Sequence, residues 1–546
     1  MIERGMRCLR FVLLALPIVS SLTVGCGSSE TLPAPDAGPE VDAGPSAIDW
    51  PAVGSTSAPS GKGSFRFGAA SAATQIEDQN KATDWFVWTS PAPEGLGKGT
   101  FVGDASKGYS LSLADIDLLA EMHLDSYRFS IEWARVEPVR DQIDEAALAH
   151  YSELIDALVA RHIRPMITVH HFSNPVWIDD PRDHACVNGP TDKNLCGFDH
   201  PTGGPLVVKE LADHARLLAQ RFGDRVDEWC TVNEPVNYLL ASYGVGSSPP
   251  GKSAIIEDKV TQKLGLAMKT YLASHAAMYK AIKEADTVDA DGDGLAASVG
   301  FTHGAQEWIA ARAGKISTYP ADVEARSRLL WVYEYLFVEA LRQGSFDTDL
   351  DGVLDEPHPE WKGTLDWLGV QYYFRAGVSA NNPIIPVLNL TPCFDIFDFG
   401  ACIPPIDPTY RVPAMKYEHH PEGLYTVLAD FGKRWPDLPL TVTESGIATT
   451  VGARRAEMIV RALESVDKAR QEGVDVRGYY HWSIYDNFEW AQGFAPRFGL
   501  YSVDFKTYAR TATEGATALG SIAGSRKLSV EMHRKYGGSG PMTAEE

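Results

Sequence analysis

The chain has 546 residues, with 49 Lys and Arg against 72 Asp and Glu and a formal net charge of −23. That balance excludes nucleic acid as a partner, because phosphate binding needs clustered Lys and Arg and no such cluster is visible. The 44% hydrophobic content supports a large core, and the length suits a (β/α)8 barrel with insertions, which runs from about 250 to beyond 400 residues.

Residues 1–26 read as a signal peptide. Arg4, Arg7 and Arg10 precede an apolar run, residues 11–24, that falls short of the about 20 residues a bilayer span needs. Gly25-Cys26 closes the run as a bacterial lipoprotein signal does, which makes Cys26 a lipidation candidate, with plain secretion as the alternative. Either way the expectation is an exported protein, periplasmic, at the cell surface or extracellular, and an acylated Cys26 would tether a soluble body to a membrane. Residues 27–63, rich in Gly, Ser, Pro, Ala and Asp, read as a flexible tether; residues 64–538 read as one domain and 539–546 as a C-terminal tail.

From Ser64 onward, short apolar runs alternate with amphipathic stretches. Strands are predicted over 65–74 and 124–131. Asp144 then caps a helix with Leu148, Tyr151, Ile155, Leu158 and Val159 at helical spacing, which leads into a strand over 165–172. The alternation recurs as helix 209–222 before strand 228–232, helix 259–285 before 296–302, and helix 326–343 before 365–373. It ends with helix 421–434 before strand 438–443 and helix 453–471 before 476–482. Eight strands alternating with helices predict an α/β fold, a (β/α)8 TIM barrel forming a single catalytic domain with loop insertions at 183–205 and 381–413. A doubly wound open sheet is disfavoured, since no Gly-x-Gly-x-x-Gly follows the first strand and polar residues gather at many strand ends.

Four cysteines form two close pairs in loops, Cys186/Cys196 and Cys393/Cys402, and are disulfide candidates for an oxidising compartment. Zinc lacks support there, because no Cys-x-x-Cys spacing or neighbouring His is present. Cys230, in an apolar run, reads as a buried free thiol.

In such a barrel the C-terminal strand ends converge on one pocket. Read in order they carry Gln75 and Glu77, Arg128, His171, Asn233 and Glu234, Tyr372 and Tyr373, Glu444, and then Trp482, Glu489 and Trp490. Residues 481–490 place two indoles, an amide and carboxylates close together, which suits a sugar: pyranose faces stack on aromatic rings while hydroxyls need polar partners. The bland reading of that stretch is a Trp-rich strand end in the core. Glu234 and Glu444 both terminate strands, and glycosidic cleavage needs two carboxyl groups, one to protonate the departing oxygen and one to meet the developing positive charge. Either Glu alone reads equally well as a salt-bridge partner. The two together point to glycoside chemistry.

These motifs resemble glycoside hydrolase family 1, the β-glucosidase and β-galactosidase family, over most of residues 65–536. The resemblance rests on Phe67-Gly68-Ala69-Ala70 through Glu77, Tyr127-Arg128-Phe129-Ser130-Ile131-Glu132-Trp133, His170-His171-Phe172, Asn233-Glu234-Pro235, Thr443-Glu444-Ser445-Gly446, and Trp482 through Trp490 to Arg497-Phe498-Gly499-Leu500. It implies a retaining exo-β-glycosidase that needs no cofactor and takes terminal β-D-glucosyl or β-D-galactosyl residues from oligosaccharides or aryl glycosides. Glu234 would be the acid/base and Glu444 the nucleophile, with Arg128 and Tyr373 orienting it. Asn233 would bond the 2-hydroxyl, Gln75, His171, Glu489 and Trp490 would hold the other hydroxyls, Trp482 would be the stacking platform, and Phe498 would complete the binding wall. The guanidinium of Arg128 is expected to lower the pKa of Glu444, and negative charge across the site to raise that of Glu234. The chain departs from the family at Ser445 and Gln371, where the family usually has Asn. A non-catalytic sugar-binding barrel and a transglycosylase of the same fold are the rival readings. Oligomeric state is left open.

Two loops, Asp289-x-Asp291-x-Asp293-Gly294 and Asp347-x-Asp349-x-Asp351-Gly352, open like calcium loops, and neither carries Glu at the twelfth position. Solvated acidic turns are the plain reading of both; a structural Ca2+ is the alternative, better supported at the second, where Asp355 and Glu356 could complete Asp347, Asp349 and Asp351.

Overall fold

Eight runs buried along nearly their whole length become the strands of a closed parallel barrel, as continuous burial on both faces requires. They are β1 (Arg66–Ala70), β2 (Ser126–Ser130), β3 (Arg164–His170), β4 (Glu228–Asn233), β5 (Ser298–Gly304), β6 (Trp367–Tyr372), β7 (Leu440–Ser445) and β8 (Val476–Trp482). Each pairs with the next, and β8 closes on β1 through Tyr480 opposite Gly68 and Trp482 opposite Ala70. The structure, a computed structural model, describes residues 44–51, 63–78, 80–393 and 403–545. The expected signal peptide with Cys26, most of the tether, Cys402 and the side chain of Cys393 lie outside the described residues.

The helices cover the barrel through apolar faces. Glu145–Ala160 buries Leu148, Tyr151, Ile155 and Leu158, and the Asp144 carboxylate caps it by accepting from the N–H groups of Ala146 and Ala147 at 2.9 and 3.0 Å. Gly203–Phe222 starts six residues before the expected Lys209, because Pro205 fits a first turn that needs no N–H from it. Among the described residues no helix is long and apolar enough to cross a membrane.

The body extends past both expected boundaries. Ile48–Asp49 pairs antiparallel with Lys527–Leu528, and Trp50, 5% exposed, packs on Phe65 and Phe67. The Ile-Asp-Trp triplet is an apolar element inside Gly/Pro-rich sequence, so composition averaged over the tether hid it. The C-terminal tail is held as well: Met542 is buried, and the Gly540 carbonyl accepts from the Tyr410 hydroxyl at 3.0 Å.

A second sheet was not expected. Glu307–Arg312 and Arg375–Ser379, which follow directly on β5 and β6, pair with each other in parallel, and Lys315–Ile316, Thr391–Cys393, Arg411–Val412 and Tyr417–Glu418 extend them. These strands rise from the C-terminal rim and build one wall of the site. Cys186 and Cys196 form the expected disulfide, which closes a loop ten residues long and contributes about 2 to 3 kcal/mol by the chain-entropy argument. Cys230 is a buried free thiol.

Candidate active site

The strand ends of the barrel surround a cleft of about 170 Å³. Gln75, His171, Asn233, Glu234, Tyr373, Glu444, Trp482, Glu489, Trp490 and Phe498 all line it, whereas two of the strand-end residues expected at the pocket do not: Glu77 accepts from Arg135 Nε at 2.8 Å and from the Tyr151 hydroxyl at 2.7 Å, and the Tyr372 hydroxyl donates to the His420 carbonyl at 2.8 Å. Arg128 lies beneath, fully buried at the end region of β2. Sequence reasoning missed Phe172, Asn237, Gln306, Phe374, Met415 and Tyr417 on the same walls. Several belong to or flank the second sheet, whose short strands carry no clear alternation, while Asn237 had a legible signal as the residue three after Glu234 on the helix Pro235–Leu239.

Glu444, at the end of β7, is held at both oxygens. Oε1 accepts from Arg128 Nη1 at 2.5 Å and from Gln371 Nε2 at 2.7 Å, and Oε2 accepts from the Tyr373 hydroxyl at 2.6 Å. Gln371 therefore supplies a donor to the carboxylate at a position where the chain departs from the family, and none of the three bonds comes from Ser445. Asn233 is fixed through its oxygen, which accepts from Arg128 Nη2 at 2.6 Å, Thr302 Oγ1 at 2.8 Å and Gln371 Nε2 at 2.9 Å. Its amide nitrogen is left to face a ligand.

Glu234 is treated differently. The chain turns sharply into Pro235 with Glu234 in the left-handed region at φ 38°, and one carboxylate oxygen accepts from Asn237 Nδ2 at 2.9 Å. The other oxygen is buried with no hydrogen-bond partner among the described residues, as are Oε1 of Gln75 and Nδ1 of His171. Orphaned buried polar atoms are costly unless something else fills their valence, and all three belong to residues that line the cleft. Gln75 is aimed by its amide nitrogen, which donates to the Phe488 carbonyl at 2.9 Å and to Glu489 Oε2 at 3.3 Å. His171 lies near the Trp482 and Trp490 rings at 6.0 and 6.2 Å, and burial holds its pKa well below the usual imidazole range, so it is neutral.

The carboxyl pKa values run upward. Burial, then the charge on Glu444, pushes Glu234 up to about 8. Burial followed by the charges on Glu444 and Glu234 does the same for Glu489, also to about 8. Glu444 is raised too, because burial outweighs Arg128 and Tyr373, which both pull it down. The expected lowering by the guanidinium is thus present as a force and reversed in the net, since desolvating a carboxylate costs more than the ion pair returns.

A protein-family model described as glycosyl hydrolase family 1 matches residues 60–527. The chain belongs to this family. The glycosidase is 29% identical over 502 residues to a protein named β-galactosidase from Pyrococcus woesei, covering 83% of this chain and 95% of that one. It is 26% identical to a chloroplastic 4-hydroxy-7-methoxy-3-oxo-3,4-dihydro-2H-1,4-benzoxazin-2-yl glucoside β-D-glucosidase from Zea mays, over 86% of this chain and 85% of that one. The solved β-glycosidase of Pyrococcus horikoshii superposes with a TM-score of 0.72 at 28% identity, covering 87% of this chain and 97% of that chain. The acidic loops of the glycosidase stand apart from the cleft. Asp347, Asp349 and Asp351 come together within 4.8 Å, whereas Asp355 turns away to accept from the Thr348 hydroxyl at 2.8 Å.

Proposed function

We propose that the glycosidase removes a terminal β-D-glucosyl or β-D-galactosyl residue by double displacement, with Glu444 as nucleophile and Glu234 as acid/base. The observation that carries this reading is the unequal treatment of two carboxyl groups in one cleft. Three donors hold both oxygens of Glu444 and favour its charged form, while Glu234 has one amide partner and keeps its proton to about 8.

In the first step a Glu444 oxygen attacks the anomeric carbon as the bond to the leaving oxygen breaks, and the Glu234 proton passes to that oxygen. In the second, Glu234, now a carboxylate, takes a proton from water, the water oxygen attacks the anomeric carbon, and Glu444 leaves. Glu234, Glu444 and water account for every proton and electron pair, so no cofactor enters. Asn233 offers its amide nitrogen to the 2-hydroxyl, while Gln75, His171, Glu489 and Trp490 grip the remaining hydroxyls and confine the enzyme to chain ends. Trp482 supports the sugar face, and Phe498, edge-on to Tyr373 at 5.9 Å, closes the wall. The names of the Pyrococcus and maize relatives support a glucoside or galactoside as substrate. The basic and apolar N-terminus together with the Cys186–Cys196 disulfide supports export to an oxidising compartment, with Cys26 as a lipid anchor.

Nitrophenyl β-glucoside and β-galactoside should release nitrophenol, and proton NMR of the sugar should show the β-anomer first, with the α-anomer growing only by mutarotation. The α-anomer appearing first would replace the double displacement by a single inversion. The pH profile gives an independent check. The working state has Glu444 charged and Glu234 protonated, so kcat/KM should rise as Glu444 loses its proton and fall as Glu234 loses its own, with the alkaline limb near 8. An alkaline limb below about pH 6 would contradict a proton held by burial and by the charge on Glu444.

A further inference from the structure

Of the two Asp-rich loops, the one with the weaker sequence signal has the stronger structural one. In the loop at 347–352, Asp347 Oδ2 already accepts from Trp331 Nε1 at 2.7 Å and from the Gly352 N–H at 2.8 Å, and its other partners, Asp349 and Asp351, are exposed. Among the described residues no carboxylate from outside that loop joins the three. The loop at 289–294 precedes β5, and its Asp289 turns inward onto the N–H groups of Gly292 at 2.7 Å and Gly294 at 2.9 Å. Asp291 beside it is buried and paired with Arg164. A third carboxylate arrives from the preceding turn of the barrel. Asp227, just before β4, is 5% exposed; its Oδ1 accepts from the Ala290 N–H at 2.9 Å, and its Oδ2 is buried with no hydrogen-bond partner among the described residues. One oxygen each of Asp227, Asp289 and Asp291 lies within 4.8 Å of the other two.

We propose that Asp227, Asp289 and Asp291 hold a Ca2+ ion, with Asp227 supplying from a separate segment the carboxylate that the loop lacks at its twelfth position. The chemistry selects the ion. All three donors are carboxylates, with neither His nor Cys among them, which favours a hard cation over zinc, and a Gly-containing loop suits the flexible coordination of six to eight oxygens that Ca2+ accepts. The carboxylates of Asp227, Asp289 and Asp291 outnumber the Arg164 guanidinium paired with Asp291, an excess of negative charge that a divalent cation would meet. A buried carboxylate oxygen with no donor is a costly thing to keep unless a ligand completes it.

The site lies where the chain enters β4 and β5, at the end of the barrel opposite the cleft, the face whose residues serve stability rather than turnover. The ion would tie two successive strand entries together. Full-length protein stripped with EDTA and titrated with Tb3+ should show emission sensitised by Trp229, two residues from Asp227 and bonded to Asp286 at 2.9 Å, saturating at one tight equivalent and competed by Ca2+. Ca2+ at a hundredfold excess over Kd should raise Tm by about 3 °C, with kcat at 25 °C unchanged. Asp227→Asn, whose amide oxygen can still accept from Ala290, and Asp289→Asn at its exposed position should each abolish the tight Tb3+ emission and the Tm shift, and Asp349→Asn should leave both intact. Absence of emission and Tm shift in the unaltered protein would mean that a proton, not a metal, neutralises Asp227 and would overturn the proposal. So would their loss in Asp349→Asn together with their survival in Asp289→Asn.

Discussion

Replacing Glu444 by Gln should lower kcat by at least about 10⁴-fold while the protein still folds and still binds a β-glycoside. The amide cannot form the glycosyl ester, so the double displacement loses its first covalent bond. Folding survives because Gln reproduces most of the local bonding: with its oxygen at the Oε1 position it still accepts from Arg128 and Gln371, and its nitrogen then meets the Tyr373 hydroxyl, which can turn to accept. The cost is a guanidinium left without a full counter-charge, and Asn233 Oδ1, 2.6 Å from Arg128 Nη2, limits it. Stopped turnover assays with nitrophenyl β-glucoside, paired with calorimetric titration of the same ligand, separate chemistry from binding. A kcat within tenfold of the unaltered protein would remove Glu444 from the role of nucleophile.

The barrel and this pair of acids were readable from sequence for the same reason. Strands buried on both faces leave continuous apolar runs, and a closed parallel barrel then forces whatever follows each run into one cavity. Glu234 and Glu444 needed no local signal beyond standing at the ends of Glu228–Asn233 and Leu440–Ser445. What did not show was everything that depends on contact between segments without a run of their own. The outer sheet is built from strands as short as Arg411–Val412 and Tyr417–Glu418, too brief for any periodicity to register, so Met415 and Tyr417 could not be placed on the cleft. Asp227 gave no hint of its meeting with Asp289 and Asp291 because its only sequence context is a turn before a strand. At Gln371, sequence could mark a departure from the family and no more; the structure shows a side chain long enough to reach both Glu444 and Asn233 with one amide nitrogen. The sign of the Glu444 shift was misjudged for a related reason. An Arg can be read from a motif, but the completeness of burial around it cannot.

Glu234→Ala should slow hydrolysis of an alkyl or sugar β-glycoside by about 10²- to 10⁴-fold, the range a positioned acid or base contributes, and by less for a nitrophenyl glycoside. The difference lies in the leaving group: nitrophenolate departs without a proton, whereas an alkoxide needs the one that burial and the charge on Glu444 keep on Glu234. The second step suffers equally for all substrates, since water must then attack without a base and the glycosyl ester on Glu444 accumulates. Azide is small, anionic and nucleophilic without deprotonation, and the substitution removes both a negative charge and a carboxyl-sized volume where it would enter. It should therefore raise the rate on nitrophenyl β-glucoside many-fold and yield the β-glycosyl azide, the configuration set by two successive inversions. Asn237 stays anchored to Tyr333, so the cavity wall does not collapse into the space left behind. A structural role for Glu234 predicts an across-the-board loss indifferent to the leaving group and deaf to azide. Equal losses on alkyl and nitrophenyl substrates, with no glycosyl azide formed, would assign the proton transfer to another group.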